Sequence, residues 1–433
     1  MATPDAHKPS VLILGAGFAG MAVAHALERS GVDARLSLVS HDNFMLFTPL
    51  LPEVMSGRVE ARHVVQPIRS AFKRTDFVMG EITGIDLVQR AATIRHPVLG
   101  GVETLQGDQL VIALGAATTT FGIPGLEERI WPLKTLDDAM RLRNAIINAL
   151  EGADTAESVA ERRRLLTFVV VGGGFTGVEA MGELRDFIAE VLHYYPRFSA
   201  DEVRLVLVEG MDHLLGELPD RFGRMAHEQL RRCGIDVRLG ALVQGADARG
   251  LTLKSGERID CEIIVWSAGV RPPEVVSDLP LEHGRGRTIA VNADFSVPNF
   301  PGVWALGDCA QVPGAEGKPS PPTAQFALHE GAQLARNVVA ALAGRATSPF
   351  HYRSRGMMAS LGCRQGLADI GGGHMLRGFP AWLLWRTYYL MQLPGADRKV
   401  RVGLDWALEK IFSRDTARLR GWGERQAAER GKP

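Results

Sequence analysis

"SVLILGAGFAGMAVAHALERSG" (Ser10 to Gly31) is an apolar run, then a glycine turn, then an amphipathic helical pattern closed by Gly31. "ARLSLVS" (34–40) follows as a second strand, so the stretch reads as a βαβ unit of about 30 residues. Gly15, Gly17 and Gly20 form GxGxxG. Glycines so spaced permit the tight turn, close backbone approach to a pyrophosphate, and close packing of helix on strand, while the helix N-terminus supplies positive potential. The design returns at "RLLTFVVVGGGFTGVEAMGELRDFIAEVL" (Arg164 to Leu192) and its following strand "EVRLVLVEG" (202–210), where Gly172, Gly174 and Gly177 repeat the fingerprint. Two complete units in one chain predict two dinucleotide sites.

The two units differ at the end of their second strand. Glu209 stands where an acid accepts from a ribose diol and repels a 2′-phosphate; no Arg or Lys occurs in "EGMDH" (209–213), so NADH is expected there over NADPH. In the first unit that strand ends in Ser40, which can still bond a hydroxyl, with Asp42 nearby as the alternative. A flavin and a nicotinamide are the economical pair, because hydride passes from one ring to the other. "WALGDCA" (304–310) fits the flavin half, with Asp308 placed to accept from ribitol hydroxyls; without that context it is an ordinary turn residue.

Composition narrows the function classes. A chain of 433 residues, 46% hydrophobic and 23% charged, holds two or three globular domains. Its formal net charge of zero argues against nucleic-acid binding through a basic surface. Four scattered cysteines (Cys233, Cys261, Cys309, Cys363) form no CxxC and no zinc spacing, so no metal is expected, and they read as ordinary buried thiols in a reducing compartment. The opening "MATPDAHKPS" resembles neither a secretory signal nor a transit peptide, and no charge-free apolar run approaches the roughly 20 residues of a spanning helix.

Between and beyond the glycine loops, "QLVIALGAA" (109–117) reads as a buried strand. A helix runs from N-cap Thr135, with Asp138 closing a capping box, to a stop at Gly152. Helical periodicity covers 324–342, with Thr323 at its start and Gly344 past its end. Gln325 and His329, four apart, share a face of that helix. From about Phe350 the composition changes. Residues 379–422 hold Trp382, Trp385, Trp406 and Trp422 among interleaved basic residues. They read as two short helices split by Pro394-Gly395, the second with Leu404, Ala407, Leu408, Ile411 and Phe412 on one face and Arg398, Lys399, Arg401 and Arg414 flanking it. That pattern, with Trp at both ends, suits a lipid interface; the alternative is packing on the protein itself or on a partner subunit.

The succession GAGFAG, "FTPLLPEV" (47–54), GGGFTGVE, "GDC" (307–309) and "TAQ" (323–325) resembles the type II, non-proton-pumping NADH:quinone oxidoreductases along almost the whole chain. The resemblance implies FAD at Gly15, Gly17, Gly20, Ser40 and Asp308, with Thr48, Pro49, Leu50, Ala324 and Gln325 beside the isoalloxazine. It implies NADH at Gly172, Gly174, Gly177 and Glu209, and places Glu179 near the nicotinamide–flavin junction; without the family, Glu179 is a carboxylate favouring its helix dipole. It also makes "TAQFALHEG" the counterpart of an AQxAxQ quinone motif, in which Ala324 and Gln325 are intact and His329 replaces the second glutamine. Imidazole can donate to a quinone carbonyl and, unlike an amide, deliver a proton near neutral pH.

The expected fold is therefore α/β, with two doubly wound dinucleotide-binding domains, one inserted in the other. An FAD domain at 1–120 and 288–350 would enclose an NADH domain at 121–287, and 351–433 would be a C-terminal region for membrane association and dimerisation. The expected activity is electron transfer from NADH through FAD to a membrane quinone, with Glu179, Gln325 and His329 catalytic. The protein would be a homodimer, peripheral on the cytoplasmic face of the cell membrane. A soluble NAD(P)H:acceptor reductase feeding a small redox protein, with the tail as docking surface, is the alternative.

Overall fold

The computed structural model describes residues 8–98, 100–314, 318–354, 356–371 and 374–419; the end of the C-terminal region, with Trp422, lies outside them. In chain order the elements used below begin with β1 (Ser10–Leu14), α1 (Phe18–Ser30), β2 (Arg35–Ser40), α2 (Leu51–Met55), β3 (Thr75–Met79), β4 (Glu81–Asp86), β5 (Ala91–Arg95), β6 (Val102–Gln106) and β7 (Gln109–Ile112). Next come β8 (Ile130–Pro132), α3 (Leu136–Thr155), β9 (Thr167–Val171), α4 (Phe175–Val191), β10 (Arg204–Val208), α5 (Asp220–Arg232), β11 (Asp236–Arg238), β12 (Val243–Asp247), β13 (Gly250–Leu253), β14 (Arg258–Asp260) and β15 (Ile263–Trp266). The last are β16 (Val303–Ala305), α6 (Ala324–Leu342), β17 (Met357–Ser360), β18 (Gly366–Asp369), β19 (Met375–Gly378), α7 (Phe379–Gln392) and α8 (Ala396–Leu408).

The chain divides into two compact units, Met1–Met45 with Gln66–Ala117 and Val270–Ser354, and Leu46–Val65 with Thr118–Gly269 and Arg355–Pro433. In the first, five parallel strands run in the order β16-β7-β1-β2-β3. Strand β1 is flanked by β2 on one side and β7 on the other, so the winding reverses there and a crevice opens beyond its carboxyl end. Near-continuous apolar runs such as Val11–Leu14 suit strands covered on both faces. An antiparallel meander, β4-β5-β6, connects β3 back to β7.

The second unit repeats this plan with other residues. Its parallel order is β8-β15-β9-β10-β11, and the meander β12-β13-β14 connects β11 to β15. A three-stranded sheet, β17-β18-β19, leads into α7 and α8.

Several sequence boundaries shift. The chain returns to the first unit at Val270, not at 288, because Val276 and Leu279 join that unit's core. Leu46–Val65 groups with the second unit, where buried Arg58 is ion-paired to Glu183 of α4 at 2.8 Å. The C-terminal residues group there too instead of standing apart. Helix α3 has the expected Thr135–Asp138 capping box but runs through Gly152 to Thr155. A lone glycine costs a helix about 1 kcal/mol, less than the burial of Leu150 and Ala153 returns.

Candidate functional site

In the first unit Gly15 follows β1 at φ +100°, where a Cβ would lie 2.3 Å from the Ala113 carbonyl oxygen; a Cβ at Gly20 would lie 1.8 Å from the carbonyl oxygen of Gly15. Both positions demand glycine for packing. Gly17 differs: it caps α1 and nothing stands within 4 Å of where its Cβ would be. That open space faces a helix start whose glycine cap offers no side chain, which is what a pyrophosphate needs. The residues fit a dinucleotide. Ser40 closes β2 and Asp308 follows β16, both at carboxyl ends of the parallel strands.

Beneath Asp308 lies a carboxyl that sequence reading passed over. Glu330, buried in α6, accepts the Gly307 N–H at 3.0 Å. Burial, the backbone donor notwithstanding, pushes it up to about 7, and the Asp308 charge adds to the rise. On the same helix, Ala324 opens α6 and Thr323 caps it. Gln325 donates through Nε2 to the Tyr352 hydroxyl at 2.6 Å, while the exposed His329 stacks on the Tyr352 ring at 4.0 Å and 22°. Tyr352 thus joins the two motif residues. No spacing rule marks it, because it reaches α6 from a loop 27 positions beyond Gln325.

The second unit builds the same cradle. Gly172 has φ +110°, a Cβ at Gly177 would lie 1.8 Å from the Gly172 carbonyl oxygen, and Gly174 caps α4 with nothing within 4 Å. Glu209 follows β10 and is held in place by its own backbone surroundings: Gly173 N–H donates to Oε2 and Met211 N–H to Oε1, the latter at 2.7 Å. A carboxylate fixed between two N–H donors is held in one orientation.

Glu179 lies one helical turn into α4 and is buried. Its Oε1 accepts from the Trp385 indole Nε1 at 2.8 Å and from the Ser360 N–H at 3.1 Å. Burial dominates and pushes the carboxyl up to about 8, so it carries a proton at neutral pH. Two donors already converge on Oε1, which assigns that proton to Oε2. In the same unit Thr48, Pro49 and Leu50 form a 3₁₀ turn that seats Leu50 in the core. Phe47, just before it, meets Tyr389 of α7 edge-on at 6.1 Å.

The C-terminal tryptophans face inward, contrary to the interfacial pattern read from sequence. Trp382, Trp385 and Trp406 are buried. Trp406 Nε1 donates to Glu53 at 2.7 Å, and the Arg386 guanidinium lies 4.6 Å from the Trp382 ring and 4.3 Å from the Trp406 ring. Arg414, expected among the flanking cations, is buried and paired with Glu190 at 3.1 Å and with Glu183 and Glu409 at 3.6 Å. Burial pushes Glu53 up to about 7, whereas the Arg58 and Arg414 charges hold Glu183 below its ordinary value against the opposing effect of its own burial. Exposed instead are Phe379, Leu383, Met391, Leu404, Ile411 and Phe412.

The cysteines also depart from expectation. Cys261 and Cys309 are buried, but Cys233 and Cys363 are half-buried with their sulfurs 2.8 Å apart.

Residues 9–331 match the pyridine nucleotide-disulphide oxidoreductase family, and residues 354–415 match the NDH2 C-terminal domain. The fold and its paired glycine cradles are those of that class of flavoprotein. A type II NADH:quinone oxidoreductase of Mycobacterium tuberculosis is 31% identical over 426 residues, covering 95% of this chain and 89% of the relative. An internal alternative NAD(P)H-ubiquinone oxidoreductase of Arabidopsis thaliana, a mitochondrial protein, is 33% identical, covering 96% and 87%. The structure of NDH2 from Plasmodium falciparum in complex with NADH shares the fold at a TM-score of 0.87 and 20% identity, over 95% of this chain and 100% of that one. The chain belongs to the type II NADH:quinone oxidoreductase family.

Proposed function

We propose that this protein takes electrons from NADH and passes them through FAD to a membrane quinone, without pumping protons. The observation that carries this reading is the duplicated cradle. Each unit presents a glycine-capped helix start at the switch point of a parallel sheet, and only the second adds an anchored acid for a ribose diol. FAD, when bound, supplies the ring that accepts hydride from nicotinamide and returns an electron pair to a quinone.

The chain's own residues bind, orient and hold protons. Gly15, Gly17 and Gly20 with the start of α1 would hold the FAD pyrophosphate, Ser40 a ribose hydroxyl, and Asp308 the ribitol, its turn steadied by Glu330. Thr48, Pro49, Leu50, Ala324 and Gln325 are assigned to the isoalloxazine surroundings. Gly172, Gly174, Gly177 and Glu209 would take NADH, and the charge on Glu209 disfavours NADPH. Reduction of a quinone to a quinol takes up a pair of protons. Glu179 keeps one on Oε2 at neutral pH, and His329, an exposed imidazole, is the residue type that exchanges one there. The Tyr352 ring and hydroxyl fix the relative setting of Gln325 and His329.

No helix among the described residues is long and apolar enough to cross a membrane. Peripheral docking through the exposed apolar residues of α7, α8 and the turn after them, on the cytoplasmic face, completes the proposal, together with a homodimer. Steady-state turnover with NADH and NADPH against a short-chain quinone, in wild type and Gln325→Ala, tests it. NADH should be preferred, and Gln325→Ala should raise KM for the quinone about tenfold, the worth of one well-placed hydrogen bond. Unchanged quinone kinetics in the variant would remove Gln325 from the site.

A further inference from the structure

Cys233 and Cys363 are 130 positions apart in sequence, yet their sulfurs lie 2.8 Å apart. Cys233 is the C-cap of α5, and Cys363 sits at φ +52° in the tight turn joining β17 to β18. This meeting is held from outside the pair. Both carboxylate oxygens of Asp186 in α4 accept the Cys363 N–H at 3.0 Å, and Asp186 is itself paired to buried Arg58 at 3.6 Å. A Cβ at Gly182 would lie 2.6 Å from the Gly362 nitrogen, so the turn rests directly on α4. Neither sulfur has a role in binding NADH or FAD as described above.

We propose that Cys233 and Cys363 are a redox-active dithiol that hydrogen peroxide converts to an intramolecular disulfide, tying the end of α5 to the β17–β18 turn. Cys233 is the attacking sulfur. The Cys363 S–H donated to it, the Gln229 Nε2 at 3.5 Å and the Arg185 guanidinium together hold its thiol down at about 6, against burial and the Asp186 charge. The hydrogen bond to the Cys233 sulfur, then burial and the nearby Asp186 carboxylate, instead raise Cys363. The Cys233 thiolate attacks one peroxide oxygen, the O–O bond breaks, and the departing hydroxide leaves as water with the proton Cys233 gave up. Cys233 is then a sulfenic acid. The Cys363 sulfur attacks it, the S–S bond forms, the S–O bond breaks, and a second water leaves with the Cys363 proton. Two thiols lose an electron pair and one peroxide is reduced to water.

Cys261 and Cys309 are internal controls, since burial pushes both up to about 12 and closes them off. The link would form three residues past Ser360, whose N–H holds Glu179, so it restrains the strand that supports that carboxyl.

The test uses the full FAD-loaded chain treated with hydrogen peroxide, then alkylated and analysed by intact mass and peptide mapping. The expected result is loss of two hydrogen atoms in mass, one peptide pair joined through Cys233 and Cys363, free Cys261 and Cys309, and reversal by dithiothreitol. Cys363→Ser should stop at a Cys233 sulfenic acid trapped by dimedone, while Cys233→Ser should slow modification of Cys363 at least about tenfold. Retained flavin absorbance in both variants reports that they fold. An unchanged mass under peroxide, over-oxidation of Cys233 with no link, or a disulfide joining two chains would each overturn the proposal.

Discussion

Glu179 and Glu209 are both acids of the second unit, yet their surroundings differ, burial for the one and two backbone N–H donors for the other. Glu179 is buried and pushed up to about 8 from an ordinary 4.5, so the folded state keeps its proton after the unfolded chain has lost it. The sign follows: the folded state binds more protons across that window, so this residue costs stability as pH rises from 4.5 towards 8, and the cost levels off above. Glu179→Gln keeps the acceptor for Trp385 and Ser360 but cannot ionise. Urea unfolding should find the variant and the wild type similar near pH 4.5 and the variant more stable at pH 9, by on the order of 2–4 kcal/mol. A difference that does not grow with pH would show that Glu179 titrates normally. Glu209 is anchored as a carboxylate by Gly173 and Met211. Glu209→Gln keeps an acceptor and removes the charge, so the kcat/KM preference for NADH over NADPH should narrow about tenfold, with kcat for NADH little changed.

At the scale of elements, each glycine loop contains two kinds of glycine, and they fail differently. Gly20 packs α1 on the loop, 1.8 Å from the Gly15 carbonyl for any Cβ, whereas Gly17 faces open space. Gly20→Val should therefore unfold the first unit or lower its stability by several kcal/mol. Gly17→Val should leave circular dichroism and the melting transition of the flavin-free chain near wild type while cutting bound flavin, read as absorbance per protein, at least about tenfold. Equal stability losses in the two variants would mean that Gly17 is structural. These loops were legible in the sequence because strand, turn and helix must all be local for a dinucleotide to sit at a helix start. The two meanders were not: short alternating strands such as β12 and β13 pair with each other and carry no motif. Glu330, Tyr352 and Trp385 escaped for a related reason. Their partners Gly307, Gln325 and Glu179 lie 23, 27 and 206 positions away, and pairings of that kind are created by the fold.

On the whole-molecule scale, the proposed membrane docking loses its tryptophan argument and rests on the apolar face of α8 and the turn after it, which the sequence had marked. A tryptophan can sit at a lipid interface or close a core, and sequence composition does not separate the two. Here Glu53, Glu179 and Arg386 draw the indoles inward, and the exposed apolar surface of this region is left to side chains such as Leu383, Leu404, Ile411 and Phe412. Leu404 is 56% exposed on α8 and Ile411 is 73% exposed in the turn after it. Arg401 and Lys410 are exposed in the same stretch, which adds attraction to anionic lipid. Inserting one such side chain into lipid is worth about 1.5–3 kcal/mol, so each substitution by Asp should lower membrane partitioning roughly tenfold to a hundredfold. Leu404→Asp with Ile411→Asp should abolish co-sedimentation with phosphatidylcholine–phosphatidylglycerol vesicles, while raised salt should weaken wild-type binding only in part, since screening leaves the apolar term intact. Turnover with a water-soluble quinone should stay near wild type in that double variant, and turnover with a long-chain quinone in vesicles should fall. If vesicle binding persists, docking lies elsewhere; if both turnovers fall together, these residues belong to the acceptor site and not to the membrane surface.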